Sequence, residues 1–146
     1  MTYEVEIGER GHRHVPGGYP EDVAITGLGP CVGVIIYDAE SKKSFSIHLV
    51  SPNTHEADKL EEMLDEAATE FEESESILVL ASGACIGSGL LPAEALEKRS
   101  HVGQRLCAYF PRATMNILWP PDGVESTSIT LDPENGEFSF EHAPPS

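Results

Sequence analysis

Short apolar segments, several of them alternating with polar residues, recur along the chain and predict β-strands. In the segment SFSIHLV, residues 44–50, the apolar side chains share one face and the polar side chains, His48 among them, share the other. Further strands are predicted at residues 3–8, 22–26, 32–38, 76–82, 113–119, 124–132 and 136–141. Residues 12–20, which are rich in Gly and Pro, are predicted to form a loop.

A helical period replaces this pattern after the strand that contains His48. Asn53 and Thr54 are both good N-caps, so the helix is predicted to begin at one of them. Apolar residues then recur at three- and four-residue steps from Leu60 to Phe71. Acidic residues fill most of the other positions, which is typical of a helix with one solvated face.

The second half of the chain predicts two shorter helices, one at residues 92–98 and one at residues 101–110 with Ser100 as a candidate cap. Strands and helices in this order favour an α+β fold in which helices cover a largely antiparallel sheet. The whole chain, residues 1–146, is long enough for one domain. A frayed tail is predicted at about residues 142–146.

Composition narrows the classes of partner. The net charge of −16 repels phosphate backbones and anionic lipid, so nucleic acid is not expected as a partner. No apolar run approaches the length of a membrane-spanning helix, and membrane insertion is not expected. The N-terminal sequence MTYEVEIGER does not resemble a signal or transit peptide, which predicts a cytoplasmic protein.

The chain has three cysteines, Cys31, Cys85 and Cys107. They are too widely spaced for zinc pairs and too few for a disulfide scaffold, which favours a reducing compartment. Cys85 and Cys107 are predicted to be small core residues. No metal site and no cofactor are predicted, because the remaining histidines are not spaced with a third donor as ligands require: His12, His14, His55 and His101.

Cys31 differs from the other cysteines in its surroundings, TGLGPCVGV, where it follows a Gly-Pro bend and opens a strand. His48 lies near the end of the next strand, so a hairpin that turns at residues 39–43 brings the two close together. A neutral imidazole beside a thiol accepts its proton and produces the nucleophilic thiolate. Cys31 and His48 can react together only if the register of the hairpin places both side chains on the same face of the sheet.

Glycines near Cys31 predict a place where a substrate carbonyl approaches the backbone. Gly27, Gly29 and Gly33 are the candidates, and backbone N–H groups there could bind a developing oxyanion. Pro30 has no N–H, so a donor must come from Cys31 itself or from elsewhere.

The segment SGACIGSG, residues 82–89, is a second glycine-rich stretch. It lacks the Lys and the glycine spacing of a P-loop. We therefore predict a tight turn after a buried strand, with Ser82 and Gly83 lining the site.

The segment ITGLGPCVGVIIYD, followed by IHLVSP, resembles the signature of CheD, the chemoreceptor glutamine deamidase of bacterial chemotaxis. The residues that match this signature in place are Cys31, Asp38, His48 and Pro52. A weaker likeness extends over about residues 3–140, but only residues 25–52 are specific.

The resemblance implies a protein-glutamine deamidase in which Cys31 is the nucleophile and His48 the general base and acid. It also implies a layered α+β sandwich, similar to the catalytic domain of cytotoxic necrotizing factor. The expected substrate is a glutamine-bearing protein such as a chemoreceptor, and a CheC-like regulator is the expected binding partner.

Two positions depart from the family pattern. Pro30 replaces the Ser that usually precedes the nucleophile, and Ile25 stands where the family has the Thr that completes its triad. Thr26 is predicted as the third catalytic residue if a bulge turns it inward. Ser46, on the same strand face as His48, is the other hydroxyl considered.

The departures at Pro30 and Ile25 leave a second hypothesis open, in which a CheD-like domain binds a signalling partner without catalysis. A deamidase that acts as an injected toxin is a third possibility, which differs from the first mainly in where the protein goes.

Overall fold

The computed structural model describes residues 2–4, 12–15, 22–49, 54–88 and 91–143. Within them the chain forms nine β-strands, two α-helices and a short 3₁₀-helix at Ile86–Ser88. The strands are β1 (Thr2–Glu4), β2 (His12–Val15), β3 (Asp22–Leu28), β4 (Val32–Asp38), β5 (Lys43–Leu49), β6 (Ile77–Gly83), β7 (Thr114–Ile117), β8 (Ser126–Leu131) and β9 (Phe138–Ala143). The helices are α1 (Thr54–Glu70) and α2 (Pro92–Tyr109).

A five-stranded sheet with the order β2-β5-β4-β6-β7 forms the centre of the molecule. Strand β4 pairs antiparallel with β5 on one side and with β6 on the other. Every residue of β4 is buried, which explains why its sequence, VGVIIYD, is an almost continuous run of β-branched and aromatic residues. Strand β7 is parallel to β6 and lies at one edge.

A second sheet has four strands in the order β1-β3-β8-β9. Strands β8 and β9 form an antiparallel hairpin, and β3 pairs antiparallel with β8. Strand β1 is parallel to β3. Antiparallel pairs thus dominate both sheets.

Alternation along β4 divides the interior into two cores. Val32, Val34 and Ile36 face the two helices and pack in one core with Leu60 and Leu106. On the opposite face, Ile35 and Tyr37 pack against the four-stranded sheet in a second core, which also contains Ile25 and Ile129. The fold therefore has three layers, with both helices on one face of the central sheet, and it confirms the predicted layered α+β class.

The two helices are connected through Glu61 of α1. Its carboxylate accepts hydrogen bonds from Arg105 and from the hydroxyl of Tyr109, both on α2. These hydrogen bonds lower the pKa of Glu61, and the bond from Arg105 has the larger effect. In return, the hydrogen bond to Glu61 raises the pKa of Tyr109 to about 12. No helix among the described residues is long and apolar enough to cross a membrane.

Three predicted elements were wrong. Residues His12–Val15 form strand β2 on the edge of the central sheet, where a loop was predicted, because pairing with β5 supplies their backbone hydrogen bonds. One helix, Pro92–Tyr109, replaces the two predicted helices. Ser100 lies inside it rather than capping it, since the buried face of the helix continues from Ala95 to Leu106 without interruption.

The C-terminal prediction was also partly wrong. Strand β9 extends to Ala143, and His142 pairs with Thr127, so the predicted tail does not begin at residue 142. The hydroxyl of Thr127 lies 2.8 Å from Nδ1 of His142. Residues 144–146 lie outside the described residues, as do Asn53 and Pro52.

Candidate active site at the start of strand β4

Cys31 and His48 lie on the same face of the central sheet. His48 is paired with Gly33 across β4 and β5, and its neighbours Ile47 and Leu49 face the helices, so the imidazole faces the other sheet. Cys31 packs in the core between the two sheets. Diagonal neighbours in an antiparallel pair have Cβ atoms about 7 Å apart. The parity on which the predicted pair depends is therefore met.

Both side chains are shielded from water. Cys31 is 8% exposed and His48 is 5% exposed. In such surroundings electrostatic interactions between a thiolate and an imidazolium are stronger than in water. Burial by itself disfavours both charged forms, however, so proton transfer from sulfur to nitrogen requires that other groups stabilise the thiolate.

His48, Gly33 and Ser82 form one row across β5, β4 and β6. Strand β3 packs onto this row at Gly33, where a Cβ would lie 2.8 Å from Cδ1 of Leu28 and 3.0 Å from Cγ2 of Ile25. The space above Gly33 is thus filled by apolar side chains. Gly33 is therefore a position where β3 packs closely on β4.

The third catalytic position was predicted at Thr26 if a bulge turned it inward. A register shift does interrupt the pairing of β3 between Ile25 and Leu28, and Gly27 there has a φ of 65°. Ile25 is buried beneath this bulge, whereas Thr26 is exposed. The bulge therefore leaves Thr26 on the outer side.

Ser46, the other hydroxyl considered, is fully buried on the face that carries His48. Its Oγ has no hydrogen-bond partner within the described part of the chain. Burying a hydroxyl without a hydrogen-bond partner lowers the stability of a fold. Ser46 is thus a polar side chain at a core position where an apolar residue would normally be found.

The turn that carries Cys31 is connected to the loop after β6 by a set of hydrogen bonds. We refer to residues 28–31 as the Cys31 turn and to residues 83–85 as the facing loop. The amide of Ala84 donates to the carbonyl of Cys31 and the amide of Cys85 to that of Gly29, both at 2.8 Å. Sγ of Cys85 donates to the carbonyl of Leu28 at 3.1 Å. Two glycine-rich segments far apart in sequence thus form one hydrogen-bonded unit.

Gly83 makes the contact between these segments possible. Its φ is +119°, and a Cβ at this position would lie 2.1 Å from the carbonyl oxygen of Cys31. Only glycine fits such a conformation at such a distance. Ser82 donates its hydroxyl to the carbonyl of Leu118 at 2.6 Å. Gly83 therefore lies against Cys31, whereas the hydroxyl of Ser82 is used to connect β6 with the segment after β7.

Two adjacent cations of α2 bind the same assembly. Nζ of Lys98 donates to the carbonyl of Pro30 at 3.1 Å. Arg99 donates to the carbonyl of Ala84 at 2.9 and 3.2 Å and to that of Pro120 at 3.1 Å. Sequence reasoning missed both residues. The available signal was a lysine at a helix position where the three- and four-residue period requires an apolar side chain.

The other two cysteines differ from Cys31. Burial raises the pKa of Cys85 to about 11, and the nearby charge of Arg99 offsets only part of this effect. Cys85 is therefore a protonated core thiol at neutral pH. Cys107 is exposed on α2, so its prediction as a core residue was wrong.

At the far end of β4 from Cys31, Asp38 organises the turn into β5. Its carboxylate accepts hydrogen bonds from the hydroxyls of Ser74 and Ser41 and from the amide of Glu40. A depression of about 360 Å³ lies beside this turn, lined mainly by polar and acidic side chains. Asp38, one of the residues that match the CheD signature, is a structural residue here. Within the described ranges no group of three or more His, Cys, Asp or Glu side chains is arranged to hold a metal ion.

No protein-family model and no curated protein matches the chain. The likeness to the CheD family therefore rests on the residues of the Cys31 turn, β4 and β5. Chemically, the site combines a thiol in a hydrogen-bonded turn with an imidazole on the neighbouring strand, which is an arrangement suited to nucleophilic attack on a carbonyl group.

Proposed function

We propose that the protein is a cysteine-dependent deamidase that converts glutamine side chains of a partner protein to glutamate. One observation carries the proposal, which is that Cys31, directly before β4, and His48, on the adjacent strand β5, lie on the same face of the central sheet. The resemblance of this segment to the CheD signature supports the choice of a glutamine carboxamide among possible carbonyl substrates.

The reaction takes place in two stages. His48 accepts the thiol proton of Cys31, and the thiolate attacks the carboxamide carbon of the glutamine. The C–N bond then breaks, and ammonia leaves with the proton from His48. In the second stage His48 takes a proton from water, the hydroxide opens the thioester, and glutamate and the free thiol are formed.

The developing oxyanion needs hydrogen-bond donors. The amide of Gly29 donates to the carbonyl of Gly27 within the turn at 3.0 Å, and Pro30 has no N–H. We propose that the N–H of Cys31 donates to the oxyanion when a carbonyl is bound there.

The resemblance also suggests the setting. The proposed substrate is a chemoreceptor-like protein in the cytoplasm, and a CheC-like protein is the proposed regulator. The net charge of −16 disfavours docking on a strongly acidic receptor helix. A glutamine in a neutral or basic segment is therefore the preferred target.

The experiment measures ammonia release from a glutamine-bearing receptor fragment. Cys31→Ala and His48→Gln are each expected to reduce the rate by about a thousandfold or more, because each removes a group that forms or breaks a bond. Cys107→Ser, which changes an exposed thiol, is the matched control and should retain the wild-type rate. Equal ammonia release by wild type and Cys31→Ala would end the proposal.

A second function is favoured by one observation, the burial of Ile25 where a catalytic hydroxyl is expected. In this alternative the domain binds a signalling partner without catalysis. The two functions differ in the reactivity of Cys31. A catalytic thiol should be alkylated well below its ordinary pKa of about 8.5, whereas an inert thiol should not.

A further inference from the structure

Lys98 occupies a helix position that faces the core. The residues of α2 on this buried face are Ala95, Lys98, Val102 and Leu106. Lys98 is 8% exposed, although a buried ammonium group is costly unless it is hydrogen-bonded. Its Nζ donates to the carbonyl of Pro30 at 3.1 Å. The ammonium group of Lys98 thus contacts the Cys31 turn directly.

The carbonyl of Pro30 belongs to the same peptide unit as the N–H of Cys31. The described residues contain no cis peptide bond, so this unit is trans and its N–H points away from Lys98. A cation that binds the carbonyl side of an amide polarises the amide and strengthens its N–H as a donor. Because Lys98 binds the peptide unit to which Cys31 belongs, its positive charge also favours the thiolate of Cys31.

We propose that Lys98 is a positioning residue for Cys31. By binding the carbonyl of Pro30, it stabilises the thiolate of Cys31 and strengthens the Cys31 N–H that receives the oxyanion. The inference rests on the proposed cysteine hydrolase function. Its effect on the thiol, however, can be measured without any substrate.

Among the described residues, the charged and titratable groups around Cys31 come from three parts of the fold. His48 faces it from β5, Cys85 lies in the facing loop, and Lys98 and Arg99 come from α2. Strand β3 faces it with apolar side chains. Cys85, with a pKa of about 11, adds no charge near neutral pH, and Arg99 is bonded to the facing loop. In the described part of the chain, Lys98 is the cation bonded to the Cys31 turn itself.

The test compares Lys98→Met with wild type, both in a Cys107→Ser background so that the exposed thiol does not react. The rate at which iodoacetamide alkylates Cys31 is measured across pH. We expect the midpoint of this profile to rise by about one pH unit in Lys98→Met, which makes alkylation about tenfold slower near neutral pH. Lys98→Arg keeps the charge and should retain most of the wild-type profile. An unchanged midpoint in folded Lys98→Met would overturn the proposal.

Two further variants separate the effect of charge from loss of structure. Val102→Ala removes volume from the same buried face and should lower stability without moving the midpoint. If Lys98→Met does not fold, Lys98→Gln retains a hydrogen-bond donor without the charge and is expected to raise the midpoint. A Lys98→Gln profile identical to that of wild type would count against the proposal.

Ammonia release by the same variants distinguishes this proposal from the deamidase function. In Lys98→Met we expect kcat to fall by about tenfold to a hundredfold with little change in KM, since a donor to the oxyanion acts mainly in the transition state. If wild type releases no ammonia but the alkylation midpoint depends on Lys98, the deamidase proposal fails and this inference stands. If wild type is active and the midpoint does not move, this inference alone fails.

Discussion

Gly83 lies so close to Cys31 that a Cβ on residue 83 would stand 2.1 Å from the carbonyl oxygen of Cys31. The contact joins the end of β6 to the turn before β4 and brings the amide of Ala84 within 2.8 Å of the same oxygen. A residue without a side chain is therefore what allows the facing loop to position the proposed nucleophile.

Gly83→Ala should strongly destabilise the protein. The new Cβ would collide with the backbone of Cys31, and the alanine would be held at a positive φ that side chains disfavour. We therefore expect the free energy of unfolding to fall by about 3 kcal/mol. Gly103→Ala is the control, because a Cβ there meets no other atom within 4 Å and the helix should gain about 0.5–1 kcal/mol. Urea unfolding measures both values, and equal stability of the two variants would contradict the described contact.

Ile25→Thr should restore a hydroxyl to the row that contains His48. Ile25 packs on Gly33, the residue paired with His48, so we expect the hydroxyl of a Thr at this position to reach the imidazole. We expect ammonia release to rise by about tenfold, at a cost of about 1–2 kcal/mol in stability. Ile25→Val removes a methylene without adding a hydroxyl and should not raise the rate. If both variants release ammonia equally, the hydroxyl has no role.

The three thiols should differ in reactivity. At about pH 7 iodoacetamide should label Cys107, which is exposed, and Cys31, if its thiolate is stabilised as proposed. Cys85 should remain unlabelled in the native protein, because burial raises its pKa to about 11. Peptide mass mapping after brief labelling tests this expectation, and urea should make Cys85 reactive. Labelling of Cys85 in the folded protein would show that the facing loop is open.

Asp38 should make the free energy of unfolding depend on pH in the acidic range. Burial alone would raise its pKa, but the hydrogen bonds from Ser74, Ser41 and the amide of Glu40 outweigh burial and lower the pKa from its ordinary value of 3.8. The ionised carboxylate therefore stabilises the fold at pH values above 3.8, and this contribution is lost as the pH falls through the lower folded-state pKa.

Asp38→Asn is expected to lower stability at neutral pH by about 1–2 kcal/mol and to flatten the acid limb of the stability curve. Thermal unfolding measured between neutral and strongly acidic pH tests this prediction. Glu72→Gln, which changes an exposed carboxylate on the segment after α1, is the control and should follow the wild-type curve. A wild-type acid limb in Asp38→Asn would show that another group is responsible.

Local patterns were sufficient for the central elements. The predicted strand at residues 32–38 coincides with β4, and α1 begins at Thr54, where the helical period was predicted to start. In both cases a regular period of side chains and a strong boundary signal agree, so local preference and tertiary packing favour the same structure. Strand β2 was missed because its residues form a strand through pairing with β5, which no local pattern records.

The chemically important residues of the site could be predicted only in part from the sequence. Cys31 and His48 could be proposed because Cys31 directly precedes one strand of a hairpin and His48 lies on the other, so that spacing limits their separation. Lys98, Arg99 and Cys85 come from α2 and the facing loop, and their bonds to the Cys31 turn are long-range. No local spacing relates such residues.

The sequence by itself determined the α+β class, the main strands and helix α1, and the candidate pair of Cys31 and His48, because these depend on periodicity and on contacts between neighbouring segments. Only the tertiary structure decided that both side chains share a face, that Ile25 and Leu28 fill the space over Gly33, and that Lys98 binds the Cys31 turn. These outcomes depend on how the two sheets and α2 pack together, since packing, rather than spacing along the chain, determines which buried groups meet.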